Sequence, residues 1–235
     1  MSMSPSSHFT PVLFQFLRDL RENNNRPWFE ANRSRFEDDV REPLTRFVVE
    51  FAPHLHEISP HFVADPRPSG GSVFRIYRDT RFSKDKTPYK TNMGAHFRHA
   101  AGKDVHAPGF YLHLEPDEVF MACGLWHPDP PAQALVRDAI VARDREWEAI
   151  KAAIMEAVPQ TFSFDGEQLA RAPRGYDPTH PLIDDLRRKD FVVSTAFDES
   201  AACAPDFIDR FSAACQTAAP YIRFLTEALD QPWKP

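Results

Sequence analysis

The sequence predicts an α+β protein, a mainly antiparallel sheet packed on one face by N- and C-terminal helices. Three observations carry this. Apolar residues recur at three and four before residue 58 and again after residue 130. Four period-two runs lie between Val73 and Leu125. The link Glu115-Pro116-Asp117-Glu118 is short enough for a hairpin. A chain of 235 residues with 42% hydrophobic content can bury a sizeable core, and 22 prolines against 8 glycines predict proline-punctuated connections.

Residues 1–8 read as a disordered tail, and 9–235 as a single α+β domain without internal repeats or a long polar linker. Thr10-Pro11 supplies a cap and first turn, after which Leu13, Phe16, Leu17 and Leu20 line a helix stopped at Asn23–Asn25. Asn25-Arg26-Pro27 restarts helix, with Trp28, Phe29, Phe36 and Val40 along a face. Pro43 opens a third, carrying Leu44, Phe47, Val48 and Phe51. Residues 58–71 are loop by composition.

Four strands are expected next. Val73–Arg78 puts Phe74 and Ile76 opposite Arg75 and Tyr77, and Asn92–Phe97 puts Met93, Ala95 and Phe97 opposite Asn92, Gly94 and His96. Gly109–Glu115 sets Phe110, Leu112 and Leu114 against Tyr111, His113 and Glu115. Glu118–Leu125 sets Val119, Met121, Cys123 and Leu125 against Phe120, Ala122 and Gly124. Pro131–Val158 is helical with a break near Arg143-Asp144, and Thr161–Pro181 is mixed. Pro181–Lys189 is a short helix and Phe191–Ala196 a fifth strand. Pro205–Leu229 is a closing helix with a break expected at Pro220.

Charge is unevenly placed. The chain carries a formal −6, yet residues 67–103 hold nine basic and two acidic side chains. That imbalance focuses a positive field on an otherwise acidic protein. The overall sign disfavours a nucleic-acid coat. No apolar run reaches the length of a membrane span, and the N-terminus lacks a basic region before its apolar residues, so neither membrane nor secretion is expected. Cys123, Cys203 and Cys215 are odd in number and far from any CxxC spacing, which points to reduced thiols in the cytoplasm.

The segment Ser72–Thr91, SVFRIYRDTRFSKDKTPYKT, is the focus for function. Arg75, Arg78, Arg81, Lys84, Lys86 and Lys90 stand among aromatics there, and guanidinium forks match phosphate and carboxylate oxygens. Arg174, with Arg171, Arg187, Arg188 and Lys189, adds to this set if the later chain folds back. On the polar strand faces, Tyr77, His96, Tyr111, His113 and Glu115 supply acid, base and hydrogen-bonding capacity. The competing reading is that Asp79 and Asp85 neutralise their neighbours in an internal ion-pair lattice.

Other chemistries have weaker support. His96, His106, His113, Glu115 and His127 show no HExxH or His-x-His frame, so no metal is assigned. Neither GxSxG, GxxxxGK[ST] nor GxGxxG occurs, which argues against a serine elbow at Ser83, a phosphate loop and a dinucleotide fold. Cys123 falls in an apolar strand phase and reads as structural. No cofactor and no oligomeric state is assigned.

Several stretches resemble the domain of unknown function number 2461 family. They are Asn24–Phe29 (NNRPWF), Phe74–Thr91, APGFYLHLEP at Ala107–Pro116, GLWHPD at Gly124–Asp129, Arg171–Phe191, and the helix around Pro220–Leu229. The resemblance implies a single soluble domain and brings no activity with it.

The function expected from the residues is binding of a phosphorylated or otherwise anionic small molecule on a basic, aromatic sheet face. Arg75, Arg78, Arg81, Lys84, Lys86, Lys90, His96, Tyr111 and Arg174 would hold it, and His113, Glu115 and Tyr77 are the candidate catalytic groups. A hydrolase or transferase follows if a reaction occurs. The alternative is a non-catalytic module that docks an acidic protein or single-stranded nucleic acid.

Overall fold

The computed structural model describes residues 7–102 and 106–234. Helix α1 (Pro11–Glu22) starts at Pro11 and buries Leu13, Phe16, Leu17 and Leu20 as their spacing predicts. Asn25 then caps α2 (Arg26–Ala31) by accepting the Trp28 amide. A further short helix, α3 (Arg33–Phe36), runs through a π-helical turn at Glu37–Arg41 into α4 (Glu42–Ile58).

Five strands form one antiparallel sheet in the order β1-β2-β3-β5-β4. They are β1 (Met93–Arg98), β2 (Gly109–Glu115), β3 (Glu118–Leu125), β4 (Phe162–Asp165) and β5 (Phe191–Phe197). Between β3 and β4 lie α5 (Pro130–Ala142) and α6 (Asp144–Met155), divided at Arg143. The short α7 (Ile183–Leu186) precedes β5, and α8 (Glu199–Ala202) and α9 (Phe207–Ala228) follow it. Among the described residues no helix is long and apolar enough to cross a membrane.

One sheet face is dry. Phe97, Phe110, Leu112, Met121 and Val193 are buried on it, and α4 and α9 supply the opposing layer. The Phe51 ring stands 4.8 Å from that of Phe97, and Phe211 meets both, at 5.0 and 6.3 Å. Burial of this apolar surface is the main stabilising term of the fold.

Four expectations change. Val73–Arg78 is a ribbon with isolated bridges, not a strand. Its first residues border β1, with the Phe74 amide donating to Gly94 and the His96 amide to Ser72. The chain then leaves that edge, because residues 76–90 pair with each other through Arg78 to Pro88 and Lys90 to Ile76. Alternation therefore fails, and Phe74 and Ile76 part company: Ile76 is buried in the core while Phe74 faces the opposite side of the sheet. Second, β4 arises within the stretch read as mixed, where Phe162 and Phe164 pair with Thr195 and Val193. Third, α9 passes through Pro220 unbroken, since burial of Ala218, Tyr221, Ile222 and Phe224 outweighs one lost backbone bond. Last, of the tail expected at 1–8, residues 1–6 lie outside the described residues, whereas His8 is buried with Nε2 2.8 Å from Glu50 Oε2.

Candidate functional site

The face of the sheet away from the helices is built in rows. His96, Tyr111, Ala122 and Ser194 are successive partners across four strands, and Gly94, His113, Phe120 and Ala196 form the next row. Small residues in these rows let large ones lie flat. A Cβ on Gly94 would stand 2.4 Å from the Tyr111 hydroxyl, and one on Gly109 2.1 Å from His96 Nε2. The two glycines thus admit a tyrosine and a histidine ring where any other residue would displace them.

Between this face and the 72–90 ribbon lies a cavity of about 730 Å3, a size suited to a small molecule. Phe74, Tyr111, Phe120 and Trp126 wall it, Gly109, Ala122 and Gly124 floor it, and Arg75, Lys90 and His96 reach it. Asp165 of β4 also lines it, its carboxylate accepting from the hydroxyls of Ser163 and Ser194. Among the described residues neither Arg75 nor Lys90 has an acidic partner. Lys90 packs its ammonium 5.3 Å from the Phe74 ring centre. Burial, and then the charge of Arg75, pull the Lys90 pKa below the ordinary lysine value.

At one end of the cavity β2 carries a chain of polar side chains. Tyr111 Oη lies 2.9 Å from His113 Nδ1, and His113 Nε2 lies 3.3 Å from Glu115 Oε2. Period-two alternation alone brings these three together. Burial raises the Tyr111 pKa, with the Glu115 and Glu118 charges adding to it, and burial lowers that of His113. The neutral arrangement is therefore favoured: Tyr111 donates to Nδ1, and Nε2–H donates to the carboxylate. The His113 ring stacks on Phe120 at 4.5 Å and 9°. Glu115 Oε1 accepts from Thr91 Oγ1 at 3.0 Å and from Arg21 at 3.1 Å.

The other expected residues divide sharply. Arg78 is held by Asp85 and Thr87, and Arg81 by Asp79 at 2.6 Å. Those pairings draw both aspartates down to a pKa of about 2. Lys86 donates to the Thr80 carbonyl at 2.8 Å, and Lys84 is exposed in the same loop. The ion pairing thus reaches Arg78 and Arg81, whereas Lys84, Lys86, Arg75 and Lys90 have no acidic partner among the described residues. Tyr77 is half exposed at the cavity lip, 5.5 Å from the Tyr89 ring.

Arg174 is exposed in the loop before α7 and does not line the cavity. Of its expected companions, Arg171 is exposed, and the others are engaged elsewhere: Arg187 with Leu169 O, Arg188 over Phe164, and Lys189 with Glu167. His127 and His106 do not join His113. His127 Nδ1 meets buried Asp190 at 2.9 Å, and His106 Nδ1 meets Trp126 O at 2.8 Å. The thiol of Cys123 is buried and its pKa is pushed up.

A family model described as "Conserved hypothetical protein (DUF2461)" matches residues 12–224. The chain belongs to the DUF2461 family. No curated protein matches it. The matched span contains every cavity-lining residue and the whole Tyr111–His113–Glu115 chain. Sequence reasoning missed Phe74 as a wall, because the ribbon breaks alternation, and Asp165, because β4 is four residues long. Phe120 and Trp126 had a usable signal, since Phe120 shares the strand phase of Ala122 and Gly124.

Proposed function

We propose that this protein binds an anionic small molecule with an apolar or aromatic body in the cavity of the outer sheet face. The observation that carries the reading is the pair Arg75 and Lys90, two cations at an aromatic cavity with no acidic partner among the described residues. Lys90 is partly desolvated beside the like charge of the exposed Arg75, a placement that costs free energy until an anion joins them. Phosphate and carboxylate both fit, as a guanidinium binds either through two oxygens. The Tyr111–His113–Glu115 chain then gives a bound ligand a group able to lend or accept a proton, the requirement of a hydrolase or transferase. Free Cys123, Cys203 and Cys215 support a reducing, cytoplasmic setting.

The test is a thermal-shift and calorimetric titration with phenyl phosphate, and with inorganic phosphate for comparison. A ligand that prefers the folded state raises the melting temperature by mass action. Phenyl phosphate is expected to bind more tightly than phosphate, and Arg75→Ala to lose most of that affinity while keeping its fold. Equal binding by Arg75→Ala and the parent protein refutes the site.

A second reading rests on Phe82, which is 95% exposed beside Lys84 and Lys86. An aromatic tip among lysines can stack a base of single-stranded nucleic acid. Binding of an oligothymidylate that weakens steeply with salt and is lost in Phe82→Ala would favour it.

A further inference from the structure

The β2–β3 hairpin offers His113 and Glu115 a second use, with Glu118, a residue that the anion reading leaves out. Glu115 and Glu118 are direct cross-strand partners, and like charges so placed destabilise a hairpin. Glu118 is exposed and has no ion-pair or hydrogen-bond partner among the described residues. One donor atom from each of His113, Glu115 and Glu118 lies within 4.8 Å of the other two.

The spacing of the inner pair, long for a hydrogen bond, also accommodates a metal ion. His113 Nε2 and Glu115 Oε2 are 3.3 Å apart, whereas a charge-assisted hydrogen bond settles at about 2.7–2.9 Å. Two ligands at roughly 2.0–2.2 Å around a tetrahedral ion stand about 3.4 Å from each other. Both groups are also held from behind. Thr91 and Arg21 occupy Glu115 Oε1 and leave Oε2 facing the histidine. Phe120 fixes the imidazole plane, and Tyr111 and Asn92 engage Nδ1. Metal-binding imidazoles and carboxylates have such outer contacts, which fix orientation and tautomer.

We propose that His113, Glu115 and Glu118 form a three-ligand site for a divalent first-row transition ion of the zinc type. One imidazole and two carboxylates suit such an ion, and three protein ligands leave a position open. The ion replaces the proton between Nε2 and Oε2. His113 then carries its hydrogen on Nδ1 and donates it to Tyr111 Oη, the Asn92 amide N–H gives up its contact with Nδ1, and the phenol O–H is free to turn towards the cavity. The metal site stands on the hairpin alone, and its coupling to Tyr111 rests on the anion-site reading.

The experiment is a calorimetric titration of the full chain with zinc chloride after chelator treatment, run on the parent protein, Glu118→Gln, His113→Gln and Arg75→Ala. The expected result is one ion per chain, bound roughly tenfold or more weakly by Glu118→Gln. His113→Gln is expected to lose binding, and Arg75→Ala to bind zinc as the parent does while failing to bind phenyl phosphate. Glu118 is exposed, so its variant reports on the site even if His113→Gln does not fold. Zinc binding that Glu118→Gln retains in full, or no saturable binding by the parent protein, overturns the proposal.

Discussion

Strand β2 has two faces that solve opposite problems. Inward, Phe110, Leu112 and Leu114 are fully buried against helices, and nothing about them needs a particular polar partner. Outward, Tyr111, His113 and Glu115 form one hydrogen-bonded chain whose members are useful only in register with each other and with the glycines beside them. The inward face tolerates exchange of like for like in volume and pays heavily for lost volume. The outward face contributes less to stability and more to shape. One strand thus separates holding the fold from building the site, and substitutions on its two sides should have different signatures.

The largest effect belongs to the inward side. Leu112→Ala deletes a fully buried side chain in the middle of the sheet and should cost about 2–5 kcal/mol in urea unfolding. Cavity chemistry should survive in whatever fraction stays folded. A loss under about 1 kcal/mol would mean that the helical layer collapses onto the gap and that the two faces are less distinct than described.

Gly109→Ala tests the boundary between the faces. Its Cβ would meet His96 Nε2 at 2.1 Å, so the imidazole must swing outward, towards the cavity it lines. Overpacking of this kind costs about 1–3 kcal/mol, less than the core deletion. Phenyl phosphate affinity should fall alongside, because the displaced ring takes up ligand space. A variant that loses stability but binds normally would place the ligand away from His96.

The same division explains how much of the molecule was legible in its sequence. Strands β2 and β3 could be bounded to the residue because large apolar residues at every second position mark the core face, and β5 fell one residue short. The outward set His96, Tyr111, His113 and Glu115 followed from that alternation. The ribbon did not follow, since residues 76–90 pair with each other and no period marks where a chain leaves a sheet edge. Asp165 entered the cavity through tertiary placement, with no local pattern to announce it. Glu118 was visible as the first residue of its strand. Its position beside His113 needed the hairpin register that pairs it with Glu115.

Basic residues were the least legible, because sequence shows a charge and conceals its partner. Arg75 and Arg81 are six positions apart and look equivalent on paper. Arg81 is exposed and bound to Asp79 through both carboxylate oxygens, with the Phe82 ring 5.8 Å away. Its charge is spent within its own loop, and an exposed pair of this kind adds little to stability. Arg81→Ala should therefore be the quietest change of all. The urea midpoint should stay where it is, and phenyl phosphate should bind as tightly as to the parent protein. Arg75→Ala should match it in stability and differ in ligand binding. The contrast is stringent because both variants remove one positive charge from the same segment, so a ligand drawn only by the general field of the ribbon would weaken equally in both. A parallel loss would replace the cavity with a diffuse basic surface as the binding determinant. A loss confined to Arg75 assigns recognition to the unpaired cations at the cavity.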